Sequence, residues 1–536
     1  MKRKAAIAVV AGLLIALVAG HHFLNRTDAK PEPDAPQLTQ LGPYAPGMRL
    51  REAFESLPPA GGQRTALTLL EKNSDAWVAR WRMLAATRET LDISYFILRE
   101  DLFGAAFLGH LLKKTQNGAR LRLLLDATGT RMSLYSPRGN DWLDTMASAR
   151  NVKVKVFRPV ANRWIEALLT ANPVAAVASE HDKILVCDKR IGMIGGRNIS
   201  TEYFVDPADL PTAFEDVDVI LDSVQAARGL LAAFEVQYES KGARKLKPER
   251  LDLADNTEEL LLAYSAMDAW LKDQPLDAAS EKKIKALRLS WIADLAKYPG
   301  LRGALQRPIE PEAEAKVRVL DSRTRLEAQP DIIAEALQRL ILSSRKRIIV
   351  QSPYLVLSEQ ALTILTAAGK RGVKIVVFTN SPISSDNALS QAFFLEQWPE
   401  LLARVPNLRI FVTGERRTLH SKLMIFDDQV SVVGTYNLDP ISMGINSEIV
   451  AAVWSHAFAK KVAAHPFIWI GRGPPQAYEY KIKRDARGMA IRGEDGKPIV
   501  AFGPENHAAP EEWRLIQLYW TMLRGAEKIP GFTPLF

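Results

Sequence analysis

His181, Lys183, Asp188, Gly195 and Asn198 stand in the pattern His-x-Lys-x4-Asp-x6-Gly-x2-Asn, and His420, Lys422, Asp427, Gly434 and Asn437 repeat it with every position displaced by 239. Only 8 histidines occur in the chain, so two of them heading one constellation mark a duplicated unit. A half-site made twice predicts one active site shared by two domains. Two imidazoles, two ammonium groups and two carboxamides suit an anion whose charge is spread over several oxygens, and a phosphodiester is the natural candidate. One imidazole can attack phosphorus to give a phosphohistidine while the other protonates the departing alkoxide, dividing a difficult displacement into two easier ones. Lys183, Lys422, Asn198 and Asn437 would hold the non-bridging oxygens of the pentacoordinate transition state, each fixed donor contributing roughly a few kcal/mol. The arrangement calls for no metal and no cofactor.

Each motif must sit on a short hairpin. The apolar runs Ile184 to Cys187 and Ile191 to Ile194 flank a polar Asp188-Lys189-Arg190 turn, and Leu423 to Phe426 with Val430 to Val433 repeat the arrangement. Alternation along a strand points His181 and Lys183 to one face, and likewise His420 and Lys422. The Gly-x-x-Asn that follows is expected to turn the backbone and return an amide near that face. A nucleophilic histidine also needs a partner that fixes its tautomer. Glu448 opens the apolar strand Ile449 to Val453, and Asp216 holds a comparable place before Val217 to Ile220, although Asp218 points the same way.

Around the motifs, predicted elements alternate as in an α/β layer fold. The first half reads as a helix over Leu67 to Thr87, a strand over Leu91 to Leu98, a helix over Phe103 to Asn117, and strands over Arg120 to Leu125 and Val152 to Phe157. The second half repeats this order: strand Arg347 to Tyr354, helix Glu359 to Arg371, strand Val373 to Thr379, a helix around Leu389 to Ala403, and strand Leu408 to Val412. Residues 226 to 303 between them have helical spacing. Beyond Gly471 short strands around glycine turns precede a terminal helix with a wide apolar face, carrying Trp513, Ile516, Tyr519 and Trp520.

Composition bounds the rest. With 536 residues, 47% hydrophobic and 24% charged, the chain is long enough for two or three globular domains, and disorder is not its default. Its formal charge of +9 favours an anionic partner without choosing between phospholipid headgroups and nucleic acid. Met1-Lys2-Arg3-Lys4 before the apolar run Ala5 to Gly20 reads as a secretory signal or a membrane anchor, and cleaved and retained forms are equally compatible with it. If retained, the basic N-terminal side places the body on the periplasmic face of a bacterial inner membrane; if cleaved, the protein is exported to the periplasm. The single cysteine, Cys187, excludes an intrachain disulfide and reads as a core residue.

The duplicated His-x-Lys-x4-Asp motifs, followed by Gly195-Gly196-Arg197-Asn198 and Gly434-Thr435-Tyr436-Asn437, resemble those of the phospholipase D superfamily. With Phe214-Glu215-Asp216-Val217-Asp218, Asn446-Ser447-Glu448 and Phe378-Thr379-Asn380-Ser381, they are similar to bacterial cardiolipin synthases of the type C branch. The resemblance spans residues 70 to 240 and 325 to 470. It implies an α/β protein of two tandem phospholipase D-like α-β-α sandwich domains forming one pseudo-symmetric catalytic unit, with an N-terminal membrane or signal helix. It also implies His181 as nucleophile, His420 as acid, Glu448 and Asp216 as imidazole partners, and Asp188 and Asp427 as mainly structural members of the motifs. The expected division is a leader at 1–25, a linker at 26–61, a first domain at 62–240, a helical connection at 241–320, a second domain at 321–470 and an extension at 471–536. The expected substrate is a phospholipid at a membrane surface, its phosphatidyl group passing to an alcohol or to water. An exported nuclease of the same superfamily is the alternative, disfavoured because small members carry one motif per chain and dimerise. A lipid-binding scaffold without activity is a third reading.

Overall fold

The computed structural model describes residues 41, 46–59, 64–130, 141–159, 163, 178–246, 256–324, 331–467, 477–509, 513–514 and 516–521. The chain divides into two compact units, one within residues 62–164 and 179–319, the other within 1–61, 165–178 and 320–536. Both are mixed α/β.

In the first unit the order is β1 (Arg64–Leu70), α1 (Asn73–Ala86), β2 (Thr90–Tyr95), α2 (Leu102–Gln116), β3 (Arg120–Asp126), β4 (Val152–Phe157), β5 (Ile184–Cys187), β6 (Ile191–Gly195), β7 (Asp218–Asp222), α3 (Val224–Glu239), β8 (Ala243–Lys245), α4 (Thr257–Leu271) and β9 (Ala313–Ser322). The strands lie in the order β8-β4-β3-β2-β5-β6-β7-β1-β9; β2, β3 and β4 are parallel and the remaining pairings antiparallel. Every residue of β2 and β5 is buried; β5 reads accordingly as an unbroken apolar run, whereas β2 alternates and buries Thr90, Asp92 and Ser94 on its second face. Helix α2 starts where Asp101 accepts the Gly104 N–H, and Lys113 and Lys114 complement the carbonyls of its last turn.

The second unit holds α5 (Ile332–Ser343), β10 (Arg347–Gln351), α6 (Glu359–Lys370), β11 (Lys374–Thr379), α7 (Ala388–Arg404), β12 (Leu408–Thr413), β13 (Leu423–Phe426), β14 (Val430–Gly434), β15 (Glu448–Trp454), α8 (His456–Phe467), β16 (Ala477–Ile482) and β17 (Val500–Phe502). Its strand order is β17-β16-β12-β11-β10-β13-β14-β15, with β10, β11 and β12 parallel. The run β12-β11-β10-β13-β14-β15 has the same order and sense as β4-β3-β2-β5-β6-β7, so the duplication seen in the motifs extends through the sheet.

Four expectations change. The helix expected from Leu67 begins at Asn73, because Leu67 to Leu70 belong to β1 and pair with β7. The end of the expected 26–61 linker is packed: a short helix, Leu50–Glu55, buries Leu50, Ala53 and Phe54 in the core of the second unit, with Phe54 against Trp454. The expected connection at 241–320 is part of the first unit. Its α4 buries Leu260, Ala263 and Met267 in the core, so close to α2 that a Cβ at Gly109 would stand 1.9 Å from the Leu260 carbonyl oxygen. Within the expected extension at 471–536, β16 joins the sheet beside β12, and Tyr480 packs on Trp398 at 4.7 Å. Ile516 and Tyr519 are buried as well, so the described part of the terminal helix packs on protein. Among the described residues no helix is long and apolar enough to cross a membrane; the expected leader at 1–25 and the apolar stretch 164–177 lie outside them.

Candidate active site

Both motif hairpins form. Asp188 and Lys189 have φ of 51° and 54°, Asp427 and Asp428 of 51° and 57°, and the turns close through Arg190 N–H to Cys187 O and Gln429 N–H to Phe426 O, each 3.0 Å. Positive φ at both central residues defines the two-residue turn that matches the twist of a hairpin, and Asp tolerates it better than branched residues. The motif glycines serve another purpose. Neither Gly195 nor Gly434 is among the residues with positive φ; a Cβ on Gly195 would meet Val217 O at 2.5 Å, and one on Gly434 would meet Ile449 O at 2.2 Å. They admit the neighbouring strand rather than turn the chain, which corrects the expectation of a sharp bend there.

The motif aspartates grip the loop that enters the central parallel strand. Asp188 accepts the N–H groups of Arg88, Glu89 and Thr90 at 2.8–2.9 Å, and Asp427 those of Arg345, Lys346 and Arg347 at 2.7–3.0 Å. Burial opposes the charge on Asp188, but these amides outweigh it and hold the carboxyl below the usual range. Asp188→Ala or Asp427→Ala is therefore expected to cost about 2–4 kcal/mol of stability by orphaning three donors, measured by urea unfolding. Because the folded pKa of Asp188 is depressed, its contribution is present above about pH 4 and is lost as pH falls through the lowered value; the Ala variant should lose that acid limb.

His181 and Lys183 are buried at the entrance of β5, His420 and Lys422 at the entrance of β13. The Lys183 Nζ donates to His181 O at 2.7 Å and lies over the Phe96 ring, which meets the His181 imidazole edge-on at 4.9 Å. Lys422 Nζ bonds His420 O and stands 3.0 and 3.3 Å from the two ring nitrogens of His420. In each half the ammonium donates to the carbonyl of its own histidine.

The two asparagines share the contact of their amide nitrogens and differ at their oxygens. Asn198 Oδ1 accepts the Ile97 N–H and its Nδ2 donates to Tyr203 Oη, while Asn437 Nδ2 donates to Ser442 Oγ five residues on, the same spacing. Asn437 Oδ1 is buried with no hydrogen-bond partner among the described residues. The register settles which acid corresponds to Glu448. Gly195 lies opposite Asp218 and Gly434 opposite Val450, so Asp216 and Glu448 occupy matching places two residues earlier. Gly196 leaves room for the Asp216 carboxylate, which would stand 2.2 Å from a Cβ there; at the matching position Thr435 donates its hydroxyl to Glu448. Asp218 instead pairs with the buried guanidiniums of Arg80 at 2.9 Å and Arg197 at 3.1 Å. Nearby, burial pushes Asp439 up to about 6, with Glu448 adding to the effect and the Ser442 and Ile441 amides opposing it.

Two residues position the motif entrances: Asp126 went unnoticed in the sequence, and Asn380 stood there only as part of Phe378-Thr379-Asn380-Ser381, with no role given to it. Asp126, at the end of β3, accepts the N–H of Glu180 immediately before His181, at 3.0 Å, and is paired with Arg163 at 2.8 Å. Asn380, just past β11, accepts the N–H of Leu419 immediately before His420, at 2.9 Å, and donates to Leu419 O at 2.8 Å. A polar residue ending a buried strand was the available signal; its partner lies tens of residues away.

The chain belongs to the phospholipase D superfamily. The family described as "Cardiolipin synthase, PLD-like domain" matches residues 81–236 and 337–466. Cardiolipin synthase C of Escherichia coli (strain K12) is 26% identical over 424 residues, 73% of this chain and 82% of that protein. Cardiolipin synthase A of Escherichia coli O157:H7 (strain EC4115 / EHEC) is 23% identical over 433 residues, 80% of this chain and 73% of that one. Among solved structures, phosphatidylserine synthase from Haemophilus influenzae Rd KW20 shares the fold, with a TM-score of 0.57 at 11% identity, covering 90% of this chain and 98% of its own.

Proposed function

We propose that the protein is an enzyme that cleaves a glycerophospholipid phosphodiester and transfers the phosphatidyl group, as a cardiolipin synthase does or, with water as acceptor, as a phospholipase D does. The observation that carries this reading is the pair of buried His-Lys hairpins, braced by the same aspartate and the same register in each unit, in a chain whose curated relatives include cardiolipin synthases A and C.

The two units then act as tandem domains of one catalytic body, with both imidazoles working on one phosphorus. A ring nitrogen of His181 attacks phosphorus; the P–N bond forms as the P–O bond to the departing alcohol breaks, and His420 gives its proton to that oxygen. An acceptor hydroxyl next gives its proton to His420 and attacks phosphorus, and the P–N bond breaks to release the new phosphodiester and free His181. Lys183, Lys422, Asn198 and Asn437 hold the non-bridging oxygens, Asp216 and Glu448 orient the imidazoles, and the leader keeps the body at the periplasmic face of the membrane if retained or exports it to the periplasm if cleaved.

Purified protein given phosphatidylglycerol, with and without phosphatidylethanolamine or glycerol, is expected to yield cardiolipin or phosphatidic acid by mass analysis. Unchanged lipid in every mixture, with cleavage of nucleic acid instead, would overturn the lipid assignment.

A further inference from the structure

The second unit contains a cavity of about 610 Å³ between α5, α6 and the sheet, walled by aliphatic residues such as Leu337, Ile341, Val350, Leu365 and Met424. At the matching place in the first unit buried aromatic side chains occupy the layer, and the repeat shows how the two differ. Thr87 and Ser344 cap the ends of α1 and α5, and Asp101 and Ser358 cap the starts of α2 and α6, so the two helix pairs can be matched residue by residue. Trp77 and Trp81 of α1 then correspond to Ala334 and Gln338, and Phe103 and Phe107 of α2 to Gln360 and Ile364. The displacement between motifs pairs Phe204 with Met443.

In the first unit these aromatic rings fill the layer. Trp77 lies 4.9 Å from Phe103 and 4.8 Å from Phe204, and all five are buried. Their five counterparts in the second unit line the cavity, and none of them is fully buried. The space is therefore a difference built into one copy of a duplicated layer, and it opens to solvent between the helices.

We propose that this cavity binds a single hydrocarbon chain of a lipid whose head carries no negative charge at the mouth. Its volume is about four times the ~150 Å³ that accommodates benzene, room for on the order of twenty carbons. The polar groups around it argue against an anion. Asp331 already receives Tyr436 Oη, Ser322 Oγ and the Ala334 N–H, and Glu359 is held bidentate by Arg404, so the lining presents carboxylates and no unpaired cation. A fatty-acid carboxylate or a phosphate would meet like charge there. The inference goes beyond the catalytic reading and is tested by binding rather than turnover, so either can fail alone.

The test uses the full chain with 1-palmitoylglycerol or palmitate as probe, reading stoichiometry by native mass spectrometry and thermal unfolding with and without probe. One equivalent of 1-palmitoylglycerol is expected to bind and raise the unfolding temperature, with palmitate at least about tenfold weaker. Ile364→Phe, and separately Ala334→Trp with Ile364→Phe, restore the aromatic filling of the first unit. Both are expected to unfold cooperatively without probe at an equal or higher temperature, and to lose the probe-induced shift. A wild-type chain that ignores 1-palmitoylglycerol, an Ile364→Phe chain that binds it as the wild type does, or palmitate binding equally well would overturn the proposal.

Discussion

Alanine at His181 or at His420 is expected to lower turnover of phosphatidylglycerol by roughly 10³–10⁵-fold, because each removes a group that takes part in both half-reactions. The two losses should nevertheless differ in kind. His420 protonates a leaving alkoxide in the proposed mechanism, so a leaving group that departs unprotonated should bypass it. With phosphatidyl-p-nitrophenol as substrate, His420→Ala is expected to recover most of its first-step rate, read as a burst of p-nitrophenol, while His181→Ala stays silent. Equal recovery by both variants would reverse or abolish the assignment of roles. Both substitutions should leave the hairpins formed, because Asp188 and Asp427 each grip the adjoining loop through three backbone amides.

The second large effect is on stability. Asp218 pairs with both Arg80 and Arg197, three charged groups buried together in the first unit, and the matching positions of the second unit are Leu337, Tyr436 and Val450. The same scaffold thus fills one core position with ions and the other with aliphatic side chains and a tyrosine whose hydroxyl bonds Asp331. Asp218→Val alone should cost about 3–5 kcal/mol, since it leaves two guanidiniums buried without a carboxylate. The triple variant Arg80→Leu, Arg197→Tyr, Asp218→Val should recover part of that loss, and only part, because Arg197 also donates to Leu70 O, Glu71 O and Asn73 Oδ1. Urea unfolding measures both; a single variant within about 1 kcal/mol of wild type would show that the ion cluster contributes little.

What could be read in advance follows from how local the signal was. The motif hairpins were legible because two four-residue apolar runs bracket an Asp-containing turn, and their strands agree with that reading to within a residue. The start of α1 was not, since Leu67, Leu69 and Leu70 satisfy a helical stripe and a buried strand equally, and only pairing with β7 decides. Leu50, Ala53 and Phe54 were hidden behind a proline-rich stretch whose composition says tether. Parity along a strand could not separate Asp216 from Asp218; two arginines, one of them 138 residues away in sequence, do so by claiming Asp218. The contacts of Asp126 and Asn380 were illegible for the same reason, their partners Glu180 and Leu419 being long-range. The cavity lay in a comparison between copies, Trp77 against Ala334 and Phe103 against Gln360, that required the helix caps to align.

The central claim is a covalent phosphatidyl-histidine, and rapid acid-free quenching of the wild-type protein with ³²P-labelled phosphatidylglycerol tests it most directly. Label is expected on the peptide containing His181, base-stable and acid-labile as a phosphoramidate is, in the wild type and in His420→Ala given an activated leaving group, and absent in His181→Ala. Turnover of the lipid with no label on the chain, or label that persists in His181→Ala, would contradict it.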